Sequence, residues 1–182
     1  MTLSLHETGP VGRSGQDIAS NPAMDTLQLR RIFSKFATGV TVVTAQSETG
    51  PIGITCNSFA SLSLEPPLLL WSLRKASSKY APFANARHFT VNVLAANQMD
   101  LAGAFAKSGH NPYEGLDFKH GQEGVPVLRE TAAHFECEVE ATQDAGDHLL
   151  IIGRIVSAGH TDSTPLVFSE GRYVDTIERQ PT

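Results

Sequence analysis

The stretch Ala133-His-Phe-Glu-Cys-Glu-Val-Glu-Ala141 alternates apolar and polar side chains without a break. Ala133, Phe135, Cys137, Val139 and Ala141 face one way, and His134, Glu136, Glu138 and Glu140 the other. A period of two is that of a half-buried β-strand, so one face is expected to be core and the other wet. Leu149 to Val156 supplies a partner strand across the turn Asp144-Ala-Gly-Asp147. Working back, His88 to Leu94 and Leu68 to Leu73 read as strands, and Val40 to Ala45 with Ile52 to Phe59 as a hairpin around Gln46 to Pro51. Ala60, Leu62 and Leu64 alternate until Glu65-Pro66-Pro67, a proline pair expected to break the strand. Leu166 to Phe168 and Tyr173-Val174 give short final strands.

Helical signals are fewer. Asp25 with Gln28 forms a capping-box pattern, flanked by Met24 and Leu29 as a hydrophobic staple. Leu29, Ile32, Phe33 and Phe36 then mark one helical face, which Gly39 is expected to stop. A short helix is expected near Ser77, and Asn97 with Asp100 caps another that carries Leu101, Ala104 and Phe105. Residues 108 to 131 read as loop. Seven or eight strands, two or three helices and mostly hairpin-length connections point to an antiparallel β-barrel rather than a doubly wound sheet.

Composition narrows the function. At 182 residues, one domain of ordinary size is expected, with an arm over 1–23, a domain over 24–176 and a tail over 177–182. The arm's mixed Gly, Ser and Pro content reads as mobile, and its Gly9, Gly12 and Gly15 lack the strand and helix of a phosphate loop. Fourteen Lys and Arg against nineteen Asp and Glu give a net charge of -5, the wrong sign for neutralising a nucleic acid. The longest apolar run, Leu68 to Trp71, falls far short of the ~20 residues of a membrane span, and no signal-peptide pattern opens the chain. A soluble, cytoplasmic protein is expected, and two cysteines, Cys56 and Cys137, exclude a disulfide framework. The seven histidines show no His-x-x-x-His pair and neither cysteine a Cys-x-x-Cys partner, so no metal site is expected. Gly-x-Ser-x-Gly, Walker and dinucleotide-fold motifs are absent as well.

Two polar stretches remain. Thr55-Cys-Asn-Ser-Phe-Ala-Ser-Leu-Ser-Leu-Glu-Pro-Pro67 offers small hydroxyls beside strand backbone, which suits a flat ring with several hydrogen-bonding edges and equally suits the wet face of an edge strand. Arg74-Lys-Ala-Ser-Ser-Lys79 sets three cations and two hydroxyls at a helix start, a pattern for holding an anion or simply a solvated cap.

Phe36-Ala-Thr-Gly-Val-Thr-Val-Val-Thr44, Asn57-Ser-Phe-Ala-Ser-Leu-Ser-Leu-Glu-Pro-Pro67, Phe89-Thr-Val-Asn-Val-Leu94, Gly146-Asp-His148 and Gly171-Arg-Tyr173 resemble the short-chain flavin reductases over about residues 25 to 175. That family comprises the reductase components of two-component flavin-dependent monooxygenases. The resemblance implies a homodimeric, FMN-binding split β-barrel that uses NADH or NADPH to reduce FMN or FAD for a separate oxygenase. It also implies that Thr55, Cys56, Asn57, Ser58 and Ser61 line the flavin ring and ribityl chain. By the same resemblance, Ser72, Lys75, Ser77, Ser78 and Lys79 would hold the phosphate, and Phe105 would contact the flavin. His148, Phe168, Gly171 and Arg172 would face the nicotinamide. The family's Phe-Tyr-Arg-Gly segment reads Phe168-Ser-Glu-Gly171 here, and the missing aromatic and cation favour NADH over NADPH. No acid or base side chain is obligatory for hydride transfer, so no catalytic residue is assigned. Two other readings keep the fold: a flavoprotein that retains FMN and reduces another acceptor, and a non-enzymatic flavin- or haem-binding module.

Overall fold

The computed structural model describes residues 25–174. The arm over 1–23, Met24 of the staple and the tail over 177–182 lie outside the described residues. Every strand pair is antiparallel. The main sheet has seven strands in the order β3 (Gly50–Cys56), β2 (Thr41–Ser47), β6 (His88–Val93), β9 (Ala133–Ala145), β10 (His148–His160), β5 (Pro67–Arg74) and β4 (Ala60–Leu64). A second sheet joins β1 (Thr38–Gly39), β11 (Val167–Ser169) and β12 (Arg172–Val174), and a third joins β7 (Phe118–His120) to β8 (Pro126–Leu128). The helices are α1 (Thr26–Phe33), α2 (Tyr80–Ala84) and α3 (Met99–Ala106), with two 3-10 turns. Among the described residues twelve strands thus replace the seven or eight expected; β1, β7 and β8, of two or three residues each, are too short to show a period.

The core lies on both faces of β2, whose residues Thr41 to Ala45 are all buried. Val43 packs with Trp71, Phe83, Phe89 and Ile151, while Val42 packs with Leu94, Phe105, Tyr113 and Leu166. Burying side chains of this size contributes about 1.5–3 kcal/mol each. Between them sits a polar tie. Asn92 is fully buried, donates from Nδ2 to the Val42 carbonyl at 3.0 Å and accepts from Leu128 N–H at 2.9 Å, which fastens β8 to the main sheet. Both halves of the buried amide are satisfied, as a core position requires.

Several expectations are corrected. The first helix ends at Phe33, not Gly39, since the Glu170 N–H takes the Ser34 carbonyl and Gly39 pairs with Val167 as strand. Only half of the capping box forms: Asp25 accepts from Leu27 N–H at 3.2 Å. Strand β3 stops at Cys56 rather than running to Phe59. The proline pair does not merely break a strand; Pro67 opens β5 opposite Leu64, where its missing N–H is tolerated, and closes a hairpin. Asn97 does not cap α3, whose start carries no side-chain cap bond; Asn97 lies in a 3-10 turn (Ala96–Gln98), before which the Ala95 N–H donates to Gln98 Oε1 at 3.0 Å. The loop over 108–131 contains the β7–β8 hairpin. On β9 the expected wet and dry faces hold only in part. Its pairing with β6 covers Ala133 to Glu138, so Ala141 beyond that is exposed, whereas Glu136 turns to accept from Gln122 N–H at 2.7 Å.

Candidate functional site

Lys79 organises one end of the site. Its Nζ donates to the Gly53 carbonyl of β3 at 2.6 Å and to the Phe105 carbonyl of α3 at 3.4 Å, so one cation joins the loop after β5, the edge strand and the last turn of a helix. Burial disfavours the ammonium there and pulls its pKa below the ordinary lysine value. Around it opens a cleft of about 310 Å³, lined by Ile54, Ala76, Ser77, Ser78, Lys79, Phe105, Ala106, Lys107 and Ser108. Three hydroxyls and two ammonium groups line it, and no carboxylate does. Such a donor set fits a phosphate group.

The wall behind this cleft is packed core. The Phe105 ring is fully buried and meets Tyr113 edge-on at 5.2 Å, and a Cβ on Gly53 would lie 2.4 Å from it. Phe105 therefore bounds the cleft from within rather than offering an open ring face. Tyr113 Oη in turn donates to the Ile52 carbonyl at 2.7 Å, and burial pushes its own pKa well up. Thr55 Oγ1 donates to the Ala102 carbonyl at 2.7 Å. Strand β3 and helix α3 are thus stitched at both ends.

One step along β3 the lining changes. Thr55, Cys56 and Asn57 join Val40, Phe168 and Tyr173 around a compartment of about 180 Å³. Cys56 is held by Thr41, whose Oγ1 donates to the Cys56 carbonyl at 2.9 Å and lies 3.2 Å from Sγ. Burial raises its thiol pKa, so it stays protonated and unreactive at neutral pH. Asn57 and Phe168 also border a further compartment of about 230 Å³ with Arg30, Phe33, Ser34, Phe36 and Thr38.

The remaining expected residues lie apart from these spaces. Ser58 Oγ donates to the Ser72 carbonyl at 3.1 Å and accepts from Ser72 N–H at 3.0 Å, bringing the residue after one edge strand against β5. Lys75 lines neither space: its Nζ pairs with Asp144 at 2.8 Å and donates to the Gly146 carbonyl at 3.0 Å, which holds it above the ordinary lysine pKa. His148 sits at the same hairpin tip, opposite Arg74, with Nδ1 2.7 Å from Asp147 Oδ1, and lowers that carboxyl's pKa. Ser61, Gly171 and Arg172 are exposed and border none of the three spaces. Residue-by-residue reading missed Lys107 and Ser108 beside the serines, and Arg30, Phe33, Phe36 and Thr38 beyond Asn57. The signal for Lys107-Ser108 was a cation and a hydroxyl directly after a helix; for Arg30, Phe33, Phe36 and Thr38 there was none, since helical spacing does not tell what a face meets. Two larger clefts elsewhere contain no expected site residue.

Comparison with known proteins gives one direction. Residues 33–176 match the flavin reductase like domain. The chain is 49% identical over 144 residues to FMN reductase (NADH) SmoA of Agrobacterium fabrum, covering 79% of this chain and 82% of that protein. It is 35% identical over 161 residues to the reductase subunit HsaB of a flavin-dependent monooxygenase from Rhodococcus jostii, covering 88% and 83%. Among solved structures, the NADH:FAD oxidoreductase SgcE6 of Streptomyces globisporus superposes with a TM-score of 0.82 at 35% identity, over 86% of this chain and 95% of that one.

Proposed function

The chain belongs to the flavin reductase-like domain family, and from that premise we propose that it transfers hydride from NADH to FMN or FAD and delivers the reduced flavin to a separate monooxygenase component. The observation that carries this reading is the acid-free cleft of Ser77, Ser78, Lys79, Lys107 and Ser108, set one strand step from the compartment of Thr55, Cys56, Asn57 and Phe168. An anion-holding end beside a ring-sized, partly apolar end is the chemistry of a flavin phosphate and its ring.

Flavin, when bound, supplies the hydride-accepting ring, so no side chain need act as acid or base. The chain's own contribution is position. Ser77, Ser78 and Lys107 hold the phosphate by charge-assisted bonds, while the carbonyl ties of Lys79 keep the β5 loop, β3 and α3 in one arrangement. Thr55 to Ser58, with Ser61 beyond, follow the ring and ribityl chain. The neutral Cys56 thiol adds no competing nucleophile. Phe168, with Gly171 and Arg172 on the adjoining turn, borders the nicotinamide side, and His148 orients or stabilises the donor electrostatically. Holding two rings at about 3–3.5 Å is what raises the rate of such a transfer.

The main sheet closes into a split barrel, and two copies form a homodimer. The chain passes from β3 at one end of the seven-strand order to β4 at the other through residues 57–59 alone, which supports closure. Leu62, Leu64 and Val156, large apolar side chains left 47%, 94% and 46% exposed, support a second copy. No helix among the described residues is long and apolar enough to cross a membrane.

Anaerobic stopped-flow mixing of NADH with the purified protein and each flavin tests the activity. Bleaching of flavin absorbance at a rate set by NADH and by added free flavin is expected. Turnover indifferent to free flavin but dependent on another acceptor would overturn it.

A further inference from the structure

Lys75 is expected on the flavin phosphate, but its side chain turns to the tip of the β9–β10 hairpin instead. Its Nζ pairs with Asp144 Oδ1 at 2.8 Å and donates to the Gly146 carbonyl at 3.0 Å, while its own N–H donates to the Asp147 carbonyl at 2.9 Å. Three bonds thus fasten one residue to the hairpin tip. The cleft lining begins at the very next residue, running through Ala76, Ser77, Ser78 and Lys79. Lys79 anchors the far end of this segment on the Gly53 and Phe105 carbonyls.

The two serines therefore lie between two lysine ties, one to the core and one to the hairpin. Bonds inside the segment are local: Ser77 N–H donates to the Arg74 carbonyl at 3.0 Å, and Lys79 N–H to Ser77 Oγ at 3.2 Å. Such turns shape the segment without fixing where it sits on the sheet; the lysines at its ends do that. A loop held in place before its ligand arrives avoids the cost of being ordered at binding. We infer that Lys75 and Asp144 are positioning residues for the flavin phosphate: their pairing holds Ser77 and Ser78 in place, and Lys75 itself makes no contact with the ligand. An acidic side chain thereby assists the binding of an anion, the reverse of what its charge alone would do. The assignment rests on the flavin reductase reading above and adds to it two residues outside the cleft.

The test compares the Kd of FMN with that of riboflavin, which has the same ring and ribityl chain and no phosphate, by fluorescence quenching on the full chain. Lys75→Ala and Asp144→Ala should each weaken FMN about threefold, the scale of one exposed ion pair, and leave riboflavin affinity and melting temperature close to wild type. The double variant should be no weaker than either single one, because both remove the same tie. Lys75→Arg, which can still reach Asp144, should keep the wild-type FMN affinity. Weaker FMN binding in Lys75→Ala with unchanged or tighter binding in Asp144→Ala would overturn the inference, since Lys75 would then touch the phosphate directly. Equal losses for FMN and riboflavin would overturn it as well, as would losses that add in the double variant or unchanged FMN affinity in both single ones. If Lys75→Ala fails to fold, Asp144→Ala carries the same comparison of the two flavins. Wild-type protein that binds neither flavin would instead remove the flavin reading on which the assignment depends.

Discussion

The cleft between Ala76–Lys79 and Phe105–Ser108 stands on packed core, whereas the compartment bordered by Arg30, Phe33 and Phe36 adjoins a helix, α1, with no buried residue. At the first, a bare Gly53 admits the Phe105 ring and Lys79 clamps two carbonyls. At the second, α1 is fastened by the exposed Lys35–Glu170 pair at 2.9 Å and one backbone bond from Glu170 to Ser34. An exposed pair of that kind contributes little. The difference teaches how one small domain can keep two kinds of space side by side: one end is preorganised by packing, and the other is left adaptable.

The sharpest way to break this contrast is to make the same truncation at both ends. Phe105→Ala should lower the unfolding free energy by about 3–5 kcal/mol in urea titrations. Phe36→Ala, at a side chain 79% exposed, should change it by less than about 0.5 kcal/mol. Similar losses at the two sites would mean that α1 is as much a part of the core as α3.

Next in size is a change confined to the cleft. Replacing Ser77, Ser78 and Lys107 together by Ala should weaken flavin binding by about 1.5–3 kcal/mol, read as the Kd from fluorescence quenching, with the NADH KM little altered. Equal effects on both ligands would move the phosphate elsewhere. Adding Lys75→Ala should contribute little further, because that charge already belongs to Asp144.

The pH dependence follows from Lys79. Its pKa is lowered on folding, so the penalty for burying its ammonium is fully present below the folded pKa and fades as pH rises towards the unfolded value. Phosphate binding has the opposite sign: it needs the ammonium and should weaken as pH rises through the lowered pKa, earlier than an ordinary lysine would permit. Lys79→Met should bind more weakly at neutral pH and show a flatter profile. An unchanged profile would show that Lys79 is purely a structural tie.

The smallest effect is expected at His148. His148→Ala should raise the NADH KM or slow flavin reduction, while flavin affinity and melting temperature stay close to wild type, since the side chain sits on a turn outside both compartments. Transient kinetics over a full NADH range would reveal it. Normal rates throughout would leave His148 as a surface partner of Asp147.

How much of this was legible depended on local period and composition. Strands β2, β3, β6, β9 and β10 were readable because a half-buried strand of six residues or more leaves an imprint of period two. The Ser77-Ser-Lys79 end was readable because hydroxyls and cations cluster within a few residues. Lys107 and Ser108 were not, because the stitch between β3 and α3 that brings them near is made by Lys79, Thr55 and Gly53, far away in sequence. Phe33 and Phe36 were legible only as one helical face, since periodicity reports that a helix is amphipathic and not what covers it. The β7–β8 hairpin was invisible, its attachment resting on the Asn92 amide, the Thr44 hydroxyl and the Glu136 carboxylate, which all lie outside it in sequence.

The strand order also sets a schedule for assembly. Four hairpins close across two-residue turns, at Glu48-Thr49, Glu65-Pro66, Gly146-Asp147 and Glu170-Gly171, and need only near neighbours. The last of these has both central residues at positive φ, 51° and 81°, the geometry that matches strand twist. Four seams are different. Pairing β2 to β6, β6 to β9, β5 to β10 and β1 to β11 requires closure of long loops, the slow kind of contact in β proteins. The β5–β10 seam also brings the Lys75 N–H to the Asp147 carbonyl, and with it the loop that carries Ser77, Ser78 and Lys79. Hairpin structure should therefore return within microseconds on refolding, and competence to quench flavin fluorescence only after the β5–β10 seam has zipped.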